Sequence, residues 1–307
     1  MSRAASKGNA AVVKLRQALG GVGEVRDPSD AEEPILAYPV RKAIAGWLVE
    51  LNNAEELASV GIKPRSTALL FGPPGCGKTT LAHHLSARLG IPLILIGSEN
   101  VFQSSLGGSE QAVARIFDAL AAADTPCVVF LDEIDAIGSK RSPEGSGGGG
   151  ARTAMNSTLN VLLRRIEEYR GVMIGATNFA DGLDPALWRR FGMQIDVALP
   201  GGDERYAILR RYAAPFDFGD DAFEILTDLT DGAAPSLLRQ IMEGVKRLLI
   251  VGAKIGVPTD SPIDTFRAVI AQNMPHPDYT PPALWADPKS ISHLASIPWP
   301  PVRGDAE

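Results

Sequence analysis

The chain has 307 residues, of which 45% are hydrophobic and 21% are charged, and its net charge is −6. This length and apolar content allow one large domain or two with a true hydrophobic core. The negative net charge argues against a protein whose whole surface binds nucleic acid. No apolar run is long enough to span a bilayer, and the amino terminus lacks the apolar stretch of a signal peptide. The composition therefore predicts a soluble protein of the cytoplasm.

The first 35 residues mix alanine, glycine, charge and proline without a firm period, apart from a weak helical pattern near residues 10–19. We expect residues 1–35 to form a loosely attached leader. From Pro39 to Val60 apolar residues recur at helical spacing, and glycine and proline then end the pattern. This second segment predicts helices beside the first strand of a sheet.

A glycine-rich loop follows an apolar strand and precedes a helical stretch that begins with Thr80. The loop reads Gly72-Pro73-Pro74-Gly75-Cys76-Gly77-Lys78-Thr79. Glycines let backbone amides approach a phosphate closely, and the helix amino terminus adds a favourable dipole. We expect Lys78 to reach the β- and γ-phosphates of a nucleotide and the Thr79 hydroxyl to bind Mg²⁺. Strand, loop and helix together favour a nucleotide site over an incidental glycine-rich turn.

Apolar strands alternate with helical segments along the middle of the chain, which predicts a parallel sheet. The predicted strands are residues 67–71, 92–96, 127–131, 172–176 and 193–198. The fold class is therefore α/β, a P-loop NTPase αβα sandwich with a parallel five-stranded sheet, followed by a small α-helical lid domain. The predicted domains are a leader (1–35), the nucleotide-binding domain (36–200), the helical lid (203–272) and a tail (273–307).

The third strand of this series ends in two adjacent acids, Asp132 and Glu133. Ligands of open α/β folds bind at the carboxyl ends of the strands. Asp132 is therefore placed to hold the Mg²⁺ shell, and Glu133 to polarise an attacking water. An acidic loop that caps the following helix explains the pair equally well in isolation. The glycine-rich loop upstream favours the catalytic interpretation.

Three further polar residues follow the later strands. The fourth strand ends in Thr177 and Asn178, where an amide can hydrogen-bond a water or the γ-phosphate, although asparagine is also common in turns. Arg189 and Arg190 precede the fifth strand, and paired surface arginines are usually only solvated. These residues therefore carry little weight by themselves.

The two cysteines are not expected to form a disulfide bond. We expect Cys76 and Cys127 to lie roughly 16 Å apart, which is too far for such a bond.

The tail of the chain has an unusual composition. The segment between Pro275 and Pro301 holds eight of the 23 prolines and two of the four tryptophans. Large aromatic residues in such a segment usually dock on something. The tail is expected to pack on its own domain or to bind a neighbouring subunit or partner.

Four motifs follow one another along the chain: the glycine-rich loop, the acid pair, Asn178 and the arginine pair. In this order they resemble the motifs of the AAA+ ATPases. Within that family they resemble most the clade of protein-remodelling and membrane-fusion ATPases. The resemblance covers roughly residues 36–255. Residues 128–137 look like the Walker B strand of that clade, and residues 183–187 are similar to the stretch before its arginine fingers. The resemblance implies ATP and Mg²⁺ as cofactors, ATP hydrolysis, and assembly into a homo-oligomeric ring, a hexamer.

Carried over by position, the resemblance implies that Asn178 is sensor 1 and that Ala37 and Tyr38 lie near the adenine. Arg190 matches the finger that reaches the nucleotide of the adjacent subunit. Arg189 is the candidate for a second finger, although the sequence is shorter there and the pairing is ambiguous. An arginine from a neighbour stabilises charge that develops on the γ-phosphate.

Two departures from the family pattern bear on function. Residues 104–107, which match the threading loop, contain no aromatic residue, and Ser236 stands where other clades have a sensor 2 arginine. Three functions follow: a ring ATPase that remodels an unidentified protein substrate or adaptor; a nucleotide-dependent assembly switch or scaffold with slow turnover; and a nucleic-acid motor of the clamp-loader or helicase-loader type. The net negative charge and the clade resemblance argue against the third.

Overall fold

The computed structural model describes the backbone of residues 2–102, 107–138 and 149–304, and the side chains of residues 10–102, 107–138 and 155–304. The chain divides into two compact units. Unit 1 is drawn from residues 1–34, 38–72 and 78–197, and unit 2 from residues 35–37, 73–77 and 198–307. Within the described parts, no helix has the length and apolar character that crossing a membrane requires.

Unit 1 is built on one six-stranded sheet. Its strands are β1 (Glu24–Arg26), β2 (Thr67–Phe71), β3 (Leu93–Ile96), β4 (Val128–Leu131), β5 (Val172–Thr177) and β6 (Met193–Asp196). Their order across the sheet is β1-β3-β4-β5-β2-β6. Strands β2 to β6 pair in parallel, which confirms the predicted five-stranded sheet, and β1 adds an antiparallel strand at one edge.

The helices of unit 1 are α1 (Ser2–Leu19), α2 (Tyr38–Asn52), α3 (Ala54–Ser59), α4 (Lys78–Leu89), α5 (Ser98–Val101), α6 (Gly108–Ala123), α7 (Ile134–Ile137), α8 (Gly149–Glu168) and α9 (Pro185–Trp188). Helix α1 precedes β1, and the other helices of this unit lie in the connections between strands. All four residues of β4 are buried, as expected for a parallel strand covered on both faces. The glycine-rich composition of residues 138–152 predicts a flexible segment, and this prediction is wrong at its end, because α8 begins at Gly149. Residues 139–148 of that prediction lie outside the described residues.

The amino-terminal segment differs from the loosely attached leader that we expected. Helix α1 buries Val12, Leu15 and Leu19 in the main hydrophobic core of unit 1. The Arg16 guanidinium donates from Nη2 to the carbonyl oxygen of Val25, 3.1 Å away, and so ties α1 to β1. The leader prediction is therefore wrong for residues 10–26, because these buried apolar side chains and the Arg16 hydrogen bond attach the segment to unit 1.

We expect Leu15→Ala to destabilise the protein by about 2–5 kcal/mol, because the side chain is fully buried and its removal leaves a cavity. Val13→Ala is the matched control on the same helix, since Val13 is 46% exposed, and its effect should stay within about 0.5 kcal/mol. Urea unfolding of the full chain measures both. If both variants shift the urea midpoint by the same small amount, helix α1 is not docked on the core of unit 1.

Unit 2 contains the predicted helical region. Its elements before the tail are α10 (Gly202–Ala213), β7 (Phe216–Asp217), α11 (Asp220–Leu229), α12 (Pro235–Val251) and α13 (Pro262–Gln272). Helix α12 buries Leu238, Ile241, Met242, Val245 and Leu248, a spacing that forms one apolar stripe. Together with the buried residues of α10, α11 and α13 this stripe forms a second hydrophobic core.

The tail packs on its own unit. It forms α14 (Ala283–Ala286) and β8 (Val302–Arg303), and β8 pairs antiparallel with β7. The two indole groups donate hydrogen bonds of 2.8 Å to backbone oxygens, Trp285 to Asn273 and Trp299 to Thr259. Of the two interpretations left open for the tail, the structure therefore shows the first.

Candidate functional site

The carboxyl ends of three neighbouring strands carry the predicted motifs. Strands β4, β5 and β2 are adjacent and parallel, so their carboxyl ends share one edge of the sheet. The glycine-rich loop follows β2, Asp132 and Glu133 follow β4, and Asn178 follows β5. This edge is where open α/β folds bind ligands. The sheet thus brings to one edge three motifs that are far apart in the sequence.

The loop backbone requires glycine. Gly72, Gly75 and Gly77 have φ angles of 140°, 77° and 86°, which residues with a side chain rarely adopt. At Gly72 an added Cβ would lie only 2.3 Å from the carbonyl oxygen of Val197. Glycine at position 72 therefore allows the positive φ angle of the turn, and it also leaves room for the backbone of Val197, which follows β6.

Lys78 is buried at the amino terminus of α4. Only 7% of its side chain is exposed, and Nζ donates to the carbonyl oxygen of Gly72 over 2.8 Å. The amino terminus of this 12-residue helix also carries the positive end of the helix dipole. A buried cation and a positive helix end add to the same potential, so the arrangement suits a highly charged anion such as a triphosphate.

Thr79 and Asp132 supply two oxygens side by side. The Thr79 hydroxyl donates from Oγ1 to Asp132 Oδ2 at 3.3 Å, and Asp132 Oδ1 accepts from the Glu133 amide at 3.0 Å. Mg²⁺ is typically held by one or two protein oxygens, with water and phosphate completing the shell. Among the described residues, no group of three or more histidine, cysteine or acidic side chains could hold a metal. The adjacent Thr79 hydroxyl and Asp132 carboxylate are the donors that would fit a Mg²⁺ ion bound with a nucleotide.

Glu133 has an unusual backbone conformation. Its φ and ψ are 51° and 44°, the left-handed region, and it stands at the amino-terminal cap of α7. Such a conformation costs a residue with a side chain on the order of 1–3 kcal/mol and is concentrated at functional sites. The Ser98 hydroxyl donates to Glu133 Oε2 at 3.2 Å. The prediction did not include Ser98, since 35 residues separate it from Glu133 and no local pattern indicates the contact.

Asn178 is half-buried directly after β5. The residue before it, Thr177, is buried, and its Oγ1 accepts a hydrogen bond from the Phe179 amide over 3.0 Å. This bond fixes the turn that follows the strand. Because β5 lies between β4 and β2, Asn178 is located between the loop that follows β2 and the acids that follow β4.

Arg189 and Arg190 lie at the opposite edge of the sheet, where the parallel strands have their amino-terminal ends. They precede β6, which runs parallel to β2, and the carbonyl oxygen of Arg190 accepts a hydrogen bond from Thr67 Oγ1 at the start of β2. Strand β2 has five residues, so about 13 Å of sheet separates this edge from the carboxyl edge. Both arginine side chains are exposed. Unlike the other motifs, these two residues are not brought to the glycine-rich loop of their own chain.

The remaining predicted site residues are less informative. Tyr38 is the first residue of α2 and is 65% exposed, and Ala37 directly precedes it. Thr80 is half-buried in the first turn of α4. The contact of Ala37 and Tyr38 with adenine stays a prediction. Of the segment that matches the threading loop, residues 104–106 lie outside the described residues.

Both cysteines are buried and they form no disulfide bond with each other, as expected from their predicted separation. Burial raises the pKa of the Cys127 thiol, while a hydrogen bond with Tyr169 lowers it by less. A raised pKa disfavours the reactive thiolate. Cys76 is 5% exposed within the glycine-rich loop, which favours a side chain that simply fits there.

Ser236 makes a contact that its sequence position did not indicate. Its backbone amide, in the first turn of α12, donates to the carbonyl oxygen of Gly75 at 3.2 Å. A Cβ added at Gly75 would lie 2.1 Å from the Ser236 hydroxyl. Residues 73–77 and α12 therefore pack closely within unit 2, and the glycine allows this approach.

Comparison with known proteins gives the family. Residues 68–199 match the family model described as ATPase family associated with various cellular activities (AAA). Proteasome-activating nucleotidase of Thermococcus gammatolerans is 34% identical over 224 residues, which cover 68% of this chain and 55% of that protein. 26S proteasome regulatory subunit 10B homolog A of Arabidopsis thaliana is 35% identical over 198 residues, 62% of this chain and 49% of that protein.

A third relative is a protease. ATP-dependent zinc metalloprotease FtsH of Mesomycoplasma conjunctivae is 39% identical over 180 residues, which cover 57% of this chain and 23% of that protein. The chain thus spans about half the length of the first relatives that it matches. The matched residues 68–199 run from β2 past β6 and include the loop, the acid pair, Asn178 and both arginines. The sheet, its motifs and these similarities together show that this chain belongs to the AAA family of ATPases.

Proposed function

We propose that the chain is a Mg-ATP-hydrolysing ATPase whose active site is completed by a second copy of itself. One observation carries this proposal: the arginine pair and the acid pair stand at opposite edges of the same sheet, about 13 Å apart along β2. An arginine at that edge acts on a phosphate only in another molecule. The family supports nucleotide binding at the first edge.

The residues at the carboxyl edge have distinct roles in the proposed reaction. Lys78 and the loop amides bind the β- and γ-phosphates, and Thr79 and Asp132 hold the metal ion. When bound, Mg²⁺ neutralises charge on the phosphate oxygens. Glu133 accepts a hydrogen bond from the attacking water and orients it in line with the γ-phosphorus. Asn178 holds the same water or a γ-phosphate oxygen through its amide.

Arg190 acts in trans. Its guanidinium neutralises charge that develops on the γ-phosphate of the adjacent copy, and Arg189 is the candidate for a second contact. Phosphoryl transfer depends mainly on positioning and charge stabilisation, so such an arginine is worth about 10³ or more in rate. A head-to-tail contact of this kind closes into a ring when the rotation allows, and the family resemblance favours a hexamer.

The proposed work of the ring is remodelling of a protein partner. Two relatives are named for the proteasome and a third is named as an ATP-dependent protease. In our assignment residues 36–200 are the nucleotide-binding domain, and residues 203–272, which form helices α10 to α13, are its lid, with the tail packed on them. Residues 104–107 carry no aromatic residue, which favours a gentler remodelling action over aromatic gripping of a threaded chain.

Dependence of the rate on protein concentration tests the shared site. We expect ATP turnover per subunit to rise with protein concentration and to reach a plateau when sedimentation shows full assembly. Turnover per subunit that is constant from a dilute monomer upward would contradict the proposal. Assembly on ATP with almost no turnover would instead support the alternative, an assembly switch or scaffold, which the missing aromatic residue also favours.

A further inference from the structure

Arg205 is a buried cation in unit 2. It lies in the first turn of α10, and only 9% of its side chain is exposed. A buried charge needs hydrogen bonds and ion pairs to satisfy it. The guanidinium donates from Nε to the carbonyl oxygen of Thr227 over 3.2 Å and from Nη1 to that of Pro200 over 3.0 Å. Nη1 also lies 2.8 Å from Oδ1 of Asp231. Three separate chain segments therefore meet on one guanidinium.

Helix α10, which carries Arg205, does not gain from this charge. A cation in the first turn of a helix opposes the helix dipole, whereas a cation at the carboxyl end of a helix is favourable. Thr227 is in the last turn of α11, where carbonyl oxygens lack a partner within the helix. The charge of Arg205 therefore stabilises the end of α11, and the segments that it joins explain its position.

The joined segments lead to the glycine-rich loop. Pro200 belongs to the hinge segment, which we define as residues 198–201, between β6 and α10. Asp231 is in the turn between α11 and α12. In the first turn of α12, the Ser236 amide donates to the carbonyl oxygen of Gly75 at 3.2 Å. A path of contacts thus runs from the loop through the start of α12 and the guanidinium to the hinge segment.

Arginine suits this position because its donors are fixed in one plane. The planar guanidinium holds its acceptors in set directions, whereas lysine has a single nitrogen on a flexible stem. Pro200 and Asp231 contact the same Nη1, so a shift of the turn before α12 is passed to the hinge segment. Coupling between sites is carried by such hydrogen-bond networks between rigid elements, and hinge segments absorb the resulting movement.

We propose that Arg205 is a positioning residue that couples the glycine-rich loop to the hinge segment, so that a nucleotide held by the loop orders residues 198–201. This inference rests on the proposed function, in which the loop binds ATP. With the guanidinium removed, the loop would still bind ATP, but the hinge segment would no longer respond to it. We expect a coupling of about tenfold, within the usual range for linked sites in a protein.

Hydrogen exchange of the full chain measures this response. Every sample carries Glu133→Gln, so that bound ATP persists, and sedimentation checks that all samples have the same assembly state. Mass spectrometry follows exchange in a peptide that contains the loop and in one that contains the hinge segment, with and without saturating Mg-ATP. With no further change, ATP should slow exchange about tenfold in both peptides, because exchange reports local opening.

Arg205→Lys keeps the positive charge and loses the fork. ATP is expected to slow exchange in the loop peptide as before, but to change exchange in the hinge peptide by less than about twofold. Arg210→Lys is the matched control. Arg210 is on the same helix, its side chain is 63% exposed, and its contact with Asp220 is long, at 3.7 Å. This control should keep both responses.

A second variant changes the other side of the contact. The side chain of Asp231 is 80% exposed, so Asp231→Asn should fold, and it removes the ion pair while Arg205 keeps its two carbonyl acceptors. We expect ATP to slow exchange in the hinge peptide by only about threefold in this variant. Asp228→Asn, at an exposed acid on α11, is its control and should keep the full response.

Loss of the hinge response in Arg205→Lys, with the loop response kept, would support the inference. Equal hinge responses in Arg205→Lys and Arg210→Lys would overturn it. Exchange that Arg205→Lys speeds by the same factor with and without ATP would also overturn it, because the residue would then be only structural. These results leave the proposed function standing.

Two other results also decide the question. If Arg205→Lys does not fold, the comparison of Asp231→Asn with Asp228→Asn replaces it, and equal hinge responses in that pair would overturn the inference. If ATP does not slow exchange in the loop peptide of the chain that carries Glu133→Gln alone, the proposed nucleotide site fails, and the role of Arg205 fails with it.

Discussion

Replacing Glu133 by glutamine is expected to lower steady-state ATP turnover by about 10²-fold or more while ATP binding persists. Glutamine keeps the size of the side chain and an oxygen that can accept the Ser98 hydroxyl, which now donates to Oε2 over 3.2 Å. It loses the negative charge that polarises the attacking water. The binding residues, Lys78 and Thr79, are on α4 and are untouched.

Two measurements separate binding from turnover for this variant. Phosphate release gives kcat, and titration with a fluorescent ATP analogue gives the dissociation constant. Glu99→Gln is the control, because Glu99 is an exposed acid on α5, next to Ser98. An unchanged kcat in Glu133→Gln would remove Glu133 from the reaction, and a loss of ATP binding would show that its role is structural.

Changing Arg190 to alanine is expected to lower kcat about 10³-fold with little change in ATP affinity. The side chain is at the edge of the sheet away from the phosphate loop of its own chain, so each subunit should still bind its own nucleotide. Arg189→Ala, one residue away and equally exposed, shows whether a second arginine contributes. Arg88→Ala on α4 controls for loss of an exposed charge.

Sedimentation must accompany these assays, because loss of assembly would lower the rate for another reason. The prediction requires that Arg190→Ala assembles as the unchanged chain does and yet turns over slowly. A monomer that carries both Arg189→Ala and Arg190→Ala and hydrolyses ATP at the normal rate would refute the trans mechanism. The assignment of the loop and of Glu133 would survive that result.

The sequence predicted the sheet and the loop well because both depend on local signals. Buried parallel strands such as β4 read as short apolar runs. The glycine-rich loop is specified by residues that adopt positive φ angles, as Gly72 does at 140°. The position of Asp132 and Glu133 at the same end of the sheet as that loop was also predicted, since ligands gather at the carboxyl ends of parallel strands.

The parts that the sequence did not predict depend on contacts between distant residues. Strand β1 has only three residues, too few to show an alternating pattern, and it exists because it pairs with β3. The contacts of Ser98 with Glu133 and of Glu167 with Arg190 join residues 35 and 23 positions apart. The tail is rich in proline, and its two indole hydrogen bonds could not be read from composition.

In the proposed trans arrangement, with the arginines and the acids at opposite ends of the strands, each copy of the chain donates an arginine on one side and accepts one on the other. In a linear row of copies the first subunit then offers an arginine that no site receives, and the last contains a nucleotide that no arginine reaches. Closure of the row removes both ends at once. A single missing subunit would therefore inactivate one site among those that remain, and would leave their chemistry otherwise intact.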